Sequence, residues 1–279
     1  MGDLAVDTAV EALGDGRYSA RLSRDWEIWG PMGGYVAAVA LRAAGAESTF
    51  PKPASFFCHY LGVAAFDVVD LTVTRIRTGR TAESLRVSMT QGDRPILDAT
   101  VSTVAGGEGL EHEITAPPVV PGPDGLLDLA TLAEGQEPPF PFWRNFEARP
   151  IEWRRDWPPP GPEDPVWQQW ERFVPTSTFA DPWVDAARTV LLVDLPSWPS
   201  AYQHHAWRFP ERQEWIAPSL DLYVAFHQAV PDDPWLLIDG HAPIAAGGLI
   251  GWTGRLWSSD RKLVASGGGQ ALCRRVPGA

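Results

Sequence analysis

One order of elements occurs twice along this chain of 279 residues: a single helix, then a meander of alternating strands. In the first half Val36, Val39, Ala40, Ala43 and Ala44 recur at helical spacing over 35–46, directly after the break Gly30-Pro31-Met32-Gly33-Gly34. Residues 55–61 then form a nearly continuous apolar run. Val69, Leu71 and Val73 alternate with polar residues, as do Leu85, Val87 and Met89, and then Leu97, Ala99 and Val101 after a Gly92-Asp93 turn. In the second half Asp181 is an N-cap residue and Pro182 a first helical residue, with Trp183, Ala186, Ala187, Val190 and Leu191 on one face. The stretches 220–227, 235–241, 249–257 and 262–272 follow as strands. Asp93-Arg94-Pro95-Ile96-Leu97 returns 167 residues later as Asp260-Arg261-Lys262-Leu263-Val264, so both the order and the residues predict an internal duplication.

A helix surfaced with alanines can approach its neighbours closely, as one clasped by a curved sheet must. Between the halves prolines cluster at Pro117, Pro118, Pro121 and Pro123, at Pro138, Pro139 and Pro141, and at Pro158, Pro159 and Pro160, which is linker composition. Within it, 145–153 reads as a strand opening the second half. The expected organisation is an N-terminal domain over 1–110, a linker over 111–142 and a C-terminal domain over 143–279.

With 44% hydrophobic and 21% charged residues the chain has a globular composition. A net charge of -12 and no basic stripe argue against a nucleic-acid partner. Residues 1–13 carry three acids and no base, unlike a signal peptide, and no apolar run is long enough to span a bilayer. A cytoplasmic protein without a membrane span is expected. Cys58 and Cys273 read as small buried hydrophobes. His59, His204, His205, His227 and His241 form no pair at metal spacing, so they read as structural or solvent-facing, and no metal is expected.

Particular residues add a resemblance. Met32-Gly33-Gly34-Tyr35-Val36, Arg75-Ile76-Arg77-Thr78-Gly79-Arg80, Ser219-Leu220-Asp221 with Phe226-His227, Trp235-Leu236-Leu237 and Leu263-Val264-Ala265-Ser266 together resemble the acyl-CoA thioesterase II family over nearly the whole chain. The resemblance implies an α+β double hotdog, two antiparallel sheets each wrapped around a central helix, associating as a homo-oligomer. It also implies a lipid-metabolism enzyme that hydrolyses a fatty acyl-CoA to free acid and coenzyme A, with no metal or organic cofactor. An Asp, a Gln and a Thr would position one water. Carried over, the Asp falls on Asp221. The Gln falls near Gln270, one residue later than the count from Ser266 gives, a shift that a bulge in Gly267-Gly268-Gly269 would absorb. The Thr position falls among Pro243, Ile244 and Ala245, where this chain has no hydroxyl.

Attack of water on a thioester needs a base or orienter for the water and donors for the oxyanion. Asp221 opens a run of apolar and aromatic residues; if buried there, its pKa would rise toward the range of a base. Position alone fits equally an Asp at a strand edge satisfied by backbone donors. For the oxyanion, Gly33 and Gly34, with Tyr35 after them, offer the unpartnered N–H groups of a helix start and a backbone that a carbonyl can approach. No Ser, Thr, Asp or Asn sits at that cap, and the same glycines also suit a plain tight turn. At the repeat offset Asp221 corresponds to Ala54 and Gln270 to Thr103, which predicts one active site per chain, with Asp221 and Gln270 facing the Gly33-Gly34 helix start.

Arg75, Arg77 and Arg80 are candidates for coenzyme A phosphate contacts, and fit a solvated strand face as well. The 14 tryptophans suit packing and the lining of an acyl tunnel. No Ser stands in a nucleophile-elbow pattern. The missing hydroxyl leaves open a second reading, a non-catalytic hotdog that binds acyl-CoA or another hydrophobic ligand. An enoyl-CoA hydratase would need an Asp and a His at the helix start, and 30–35 has neither.

Overall fold

A computed structural model of the chain describes residues 1–208 and 215–275. Its strands in chain order are β1 (Glu11–Gly14), β2 (Arg17–Arg21), β3 (Lys52–Tyr60), β4 (Val68–Thr78), β5 (Ala82–Gln91), β6 (Arg94–Val104), β7 (Phe146–Pro150), β8 (Val166–Phe173), β9 (Trp215–Ile216), β10 (Asp221–Phe226), β11 (Leu236–Ala246), β12 (Leu249–Ser258), β13 (Leu263–Leu272) and β14 (Arg274–Arg275). The α-helices are α1 (Leu4–Asp7), α2 (Gly33–Glu47), α3 (Leu129–Leu132), α4 (Pro182–Asp194) and α5 (Ser197–His205).

Twelve strands make one sheet in the order β1-β2-β4-β5-β6-β3-β10-β13-β12-β11-β8-β7, while β9 and β14 pair apart from it. The expectation of two sheets is corrected by one junction. Strands β3 and β10 pair antiparallel, Asp221 opposite His59 and Ala225 opposite Ser55, and so fuse the six strands of each half. Outward from that seam the two sides correspond, β6, β5, β4 on one and β13, β12, β11 on the other, as a duplication requires.

Helix α2 lies against β3 to β6, α4 against β10, β12 and β13, and the two helices pack on each other. Every residue from Gly34 to Leu41 is buried, the signature of a helix enclosed on all sides. The helices run antiparallel: Gly34 at the start of α2 meets Leu191 near the end of α4, and Gly45 meets Trp183 at the start of α4. A Cβ on Gly34 would lie 2.8 Å from the Leu191 carbonyl oxygen. The small residues read from the sequence are thus used to bring two helices, rather than helix and sheet alone, into close approach.

The proline-rich stretch does more than link. Trp170 Nε1 donates to the Pro121 carbonyl (2.9 Å), Arg261 donates to the carbonyls of Pro118 (2.9 Å) and Val120 (2.7 Å), and Glu113 accepts from the Leu263 N–H (2.8 Å). Val120 and Leu126 cover a second apolar cluster of Trp170, Trp235, Leu237 and Trp257. Strand β8 and helix α5 were not legible from the sequence pattern. Both cysteines are free, Cys58 buried and Cys273 half-buried. Among the described residues no helix is long and apolar enough to cross a membrane.

Candidate active site

The start of α2 lacks a side-chain cap of its own, because Met32 at the N-cap offers no acceptor. Its partner comes from the other helix. Asp194, the last residue of α4, accepts the Gly34 N–H and, at 3.0 Å, the Ser219 hydroxyl. A carboxylate at the C-terminus of α4 opposes that helix's dipole, and the N-terminus of α2 beside it supplies the compensating positive end. Burial pushes the Asp194 carboxyl up to about 6, against the pull of Ser219 and Gly34.

A cavity of about 550 Å³ opens on this group. Met32 at the cap of α2, Gly33 and Val36 in that helix, Tyr60 at the end of β3, Asp194 and Ser219 line it, together with the aromatic rings of Trp29, Trp143, Trp198 and Phe142. Ile216 and Arg274 of the small β9–β14 pair stand at its edge. Asp194 and Tyr60 crowd Gly33 so closely that a side chain there would press on them: a Cβ would lie 2.9 Å from Asp194 Oδ2 and 3.4 Å from Tyr60 Oη. An acid with a pKa near neutrality, a hydroxyl and helix N–H groups thus converge on an apolar hollow, the elements water needs to attack an ester-like carbonyl.

Residues 22–104 match the model of the acyl-CoA thioesterase N-terminal domain, and residues 123–271 that of the acyl-CoA thioesterase C-terminal domain. The chain belongs to the acyl-CoA thioesterase family. Its activity is therefore hydrolysis of acyl-CoA thioesters. Among solved structures it is similar to the acyl-CoA thioesterase II TesB2 of Mycobacterium marinum at 23% identity and TM-score 0.80, covering 99% of this chain and 100% of that one. The tesB protein of Mycobacterium avium subs paratuberculosis is also 23% identical at TM-score 0.75, with 98% of both chains covered. A putative thioesterase II of Thermobifida fusca is 20% identical at TM-score 0.80, covering 99% of this chain and 98% of that one. No curated protein matches the sequence.

In this thioesterase the expected site residues are divided. Gly33 lines the cavity, whereas Gly34 is buried against Leu191 and Asp194 of α4. Tyr35 turns away into the core, where it stacks on Trp26 and donates to the Asp7 carbonyl at 2.8 Å. Asp221 and Gln270 are neighbours, but through the backbone: the Gln270 N–H donates to Asp221 Oδ1 at 2.9 Å, beside the glycine run. The Gln270 side chain is exposed, and neither residue lines the cavity. Asp221, at the start of β10, accepts a backbone donor, the contact its alternative reading as a locally satisfied acid also expects. Arg75 pairs with Glu47 and reaches toward Glu83 at the far end of α2, about 20 Å from the helix start at 1.5 Å per residue, and no residue of the Arg75, Arg77 and Arg80 set lines the cavity.

Asp194 was missed, although two signals pointed to it. The sequence showed a helix start without a cap, and an acid ending an apolar helix where the dipole disfavours it. Ser219 was singled out only as part of the motif around Asp221. Its hydroxyl is donated to Asp194.

Proposed function

We propose that acyl-CoA is hydrolysed at the start of α2 by a water held on Asp194, with Ser219 orienting the carboxylate and the acyl chain in the aromatic cavity. The observation that carries this reading is the buried Asp194 carboxyl, which faces the cavity while bonded to Ser219 and Gly34. As the ionised base it takes a proton from water while the oxygen adds to the thioester carbonyl. The oxyanion lies beside the helix start at Gly33, and on collapse the C–S bond breaks and the thiolate leaves with the proton from Asp194. The nearby apolar walls exclude competing water. Arg274, at the cavity edge, is placed to meet a phosphate of coenzyme A.

One site per chain fits the asymmetry of the helix pair. At the opposite end α4 is capped by its own Asp181, which accepts the Trp183 N–H (2.8 Å) and pairs with Arg42 (2.9 Å), and the Trp183 ring covers Gly45. No open helix start is left there.

Thiol release from a series of acyl-CoA chain lengths tests the assignment. Asp194→Asn is expected to lower kcat by about 10²–10⁴-fold, the usual contribution of a positioned base. Asp221→Asn is expected to keep most of the activity, since Asn retains an acceptor for the Gln270 N–H. A wild-type rate in Asp194→Asn, or loss confined to Asp221→Asn, would return the base to Asp221.

A further inference from the structure

The pairing of β10 with β13 continues past the regular ladder, into β9 and β14. Tyr223 stands opposite Gly268. Farther along, Ser219 stands opposite Ala271 and Ile216 opposite Arg274. Between the first two pairs Leu220, Asp221 and Leu222 therefore face only Gly269 and Gln270, which puts a bulge on the β10 side rather than within the glycine run. A bulge leaves a backbone group without its ladder partner, and here the Asp221 side chain supplies one: Oδ1 accepts the Gln270 N–H at 2.9 Å. The backbone around it stays paired, the Leu220 N–H on the Gln270 carbonyl (2.7 Å) and the Leu272 N–H on the Pro218 carbonyl (2.9 Å). Gly269 permits so close a carboxylate, since a Cβ there would lie 2.7 Å from Asp221 Oδ1.

Past the bulge the ribbon reaches the cavity, where Ile216, Ser219, Leu220 and Arg274 line the wall. Ser219 lies two residues from Asp221, and its hydroxyl donates to Asp194 at 3.0 Å. The course of the chain at Ser219 is thus set by the bulge, and the bulge is tied by Asp221. Resting on the hydrolysis reading above, we infer that Asp221 is a positioning residue: by tying the bulge it holds Ser219 on Asp194 and keeps that carboxylate aimed at the cavity. Asp221 does not line the cavity itself, so it acts through Ser219 and not on the substrate. The bond from Ser219 favours the ionised form of Asp194 against burial. Also beside Asp194 are the Gly34 N–H of α2 and, on β3, the Tyr60 phenol and the Cys58 thiol, both lifted by burial and so uncharged at the working pH. Loosening Ser219 leaves burial less opposed, and the Asp194 carboxyl then titrates above about 6.

The test sets Asp221→Ala against Asp221→Asn, which keeps an acceptor for the Gln270 N–H. Carbon-13 NMR titration follows the Asp194 carboxyl without turnover, and thiol release from acyl-CoA across pH follows the reaction. In Asp221→Ala the Asp194 midpoint is expected above about 6, with kcat/KM on its acid side about tenfold lower than wild type, the effect of roughly one pH unit, and the deficit narrowing as pH rises. Ser219→Ala should move the midpoint as far and the double variant no farther, because the same contact is lost in each. Asp221→Asn should restore the wild-type midpoint and most of the activity. A general loosening of the fold would instead lower activity by one factor at every pH and leave the midpoint in place. An unmoved Asp194 midpoint in Asp221→Ala overturns the inference. So does loss of activity in Asp221→Asn, which would show that the acid itself is needed and not its acceptor; should Asp221→Ala fail to fold, this variant decides alone. If Asp194→Asn is inactive while the Asp221→Ala midpoint stays put, the hydrolysis reading stands without Asp221. If Asp194→Asn is fully active while Asp221→Ala still moves the midpoint, the base has been misplaced and the tie between Asp221 and Ser219 has not.

Discussion

Two buried acids set the pH behaviour of single residues in this thioesterase. The base proposed in Asp194 would work ionised, so kcat/KM should rise with pH through about 6 and level above it, and the rise should vanish in Asp194→Asn. Its stability effect has the opposite direction. The folded carboxyl holds its proton up to about 6 and the unfolded one only to its ordinary 3.8, so the folded state loses stability as pH rises between those values. Asp194→Asn should therefore melt higher than wild type above pH 6 and nearly equal to it below pH 4, a site in which function and stability are opposed. Glu171 follows the same rule over a wider window. Enclosed in β8 with only Gln169 donating to it, at 2.6 Å, its carboxyl is pushed up to about 8 by burial. Glu171→Gln keeps an acceptor for Gln169, and its stabilisation in thermal melts should appear above the ordinary 4.5, grow toward pH 8 and level beyond. Neither acid was legible as functional or strained in the sequence, because alternation and helical spacing assign apolar residues to the interior and are silent about an acid that shares it. Asp221 attracted the role through its motif, whereas which carboxyl faces the cavity depends on contacts 25 residues apart, such as that between Asp194 and Ser219.

At the scale of elements, α2 and α4 were found from spacing and capping, as was each strand from β3 to β6 and from β10 to β13, although β3, β4, β6 and β11 extend several residues beyond the alternating stretches that announced them. Local pattern decides such elements. Their use of small residues could be read only in part, since alanines and glycines announce close packing without naming the neighbour. Gly34 shows what that neighbour demands. An added Cβ would press on the backbone of Leu191, 2.8 Å from its carbonyl oxygen, where no side chain can swing aside. Gly34→Ala should cost about 1–3 kcal/mol by overpacking and also lower activity, because the N–H held by Asp194 moves with the helix start. Gly107→Ala, where nothing lies within 4 Å of the added atom, should melt as wild type does. Equal melting of the two variants would mean that the helix start does not bear on α4.

For the whole molecule, the duplication was legible and the joining of its products was not. The repeat gives two similar units, but whether they make two sheets or one depends on the outer partners of β3 and β10, and edge strands carry no sequence label for whom they pair with. Pairing them leaves neither half with a closed interior. Without the second half, α2 would expose the face of Gly34 and Gly45 that α4 covers, and β3 would present a free edge beside Phe56 and Cys58. A fragment of residues 1–110 is therefore expected not to unfold as a cooperative monomer, and the full chain is expected to unfold in one step. Two probes report the halves separately. All the tryptophans except Trp26 and Trp29 lie beyond Phe142, so their fluorescence follows the second half, while amide exchange in β4 to β6 follows the first. Coincident urea midpoints by the two probes are the expected result. Separate midpoints would show that the β3–β10 seam and the α2–α4 contact are too weak to couple the halves, and that the site between Gly34 and Asp194 can open while each half stays folded.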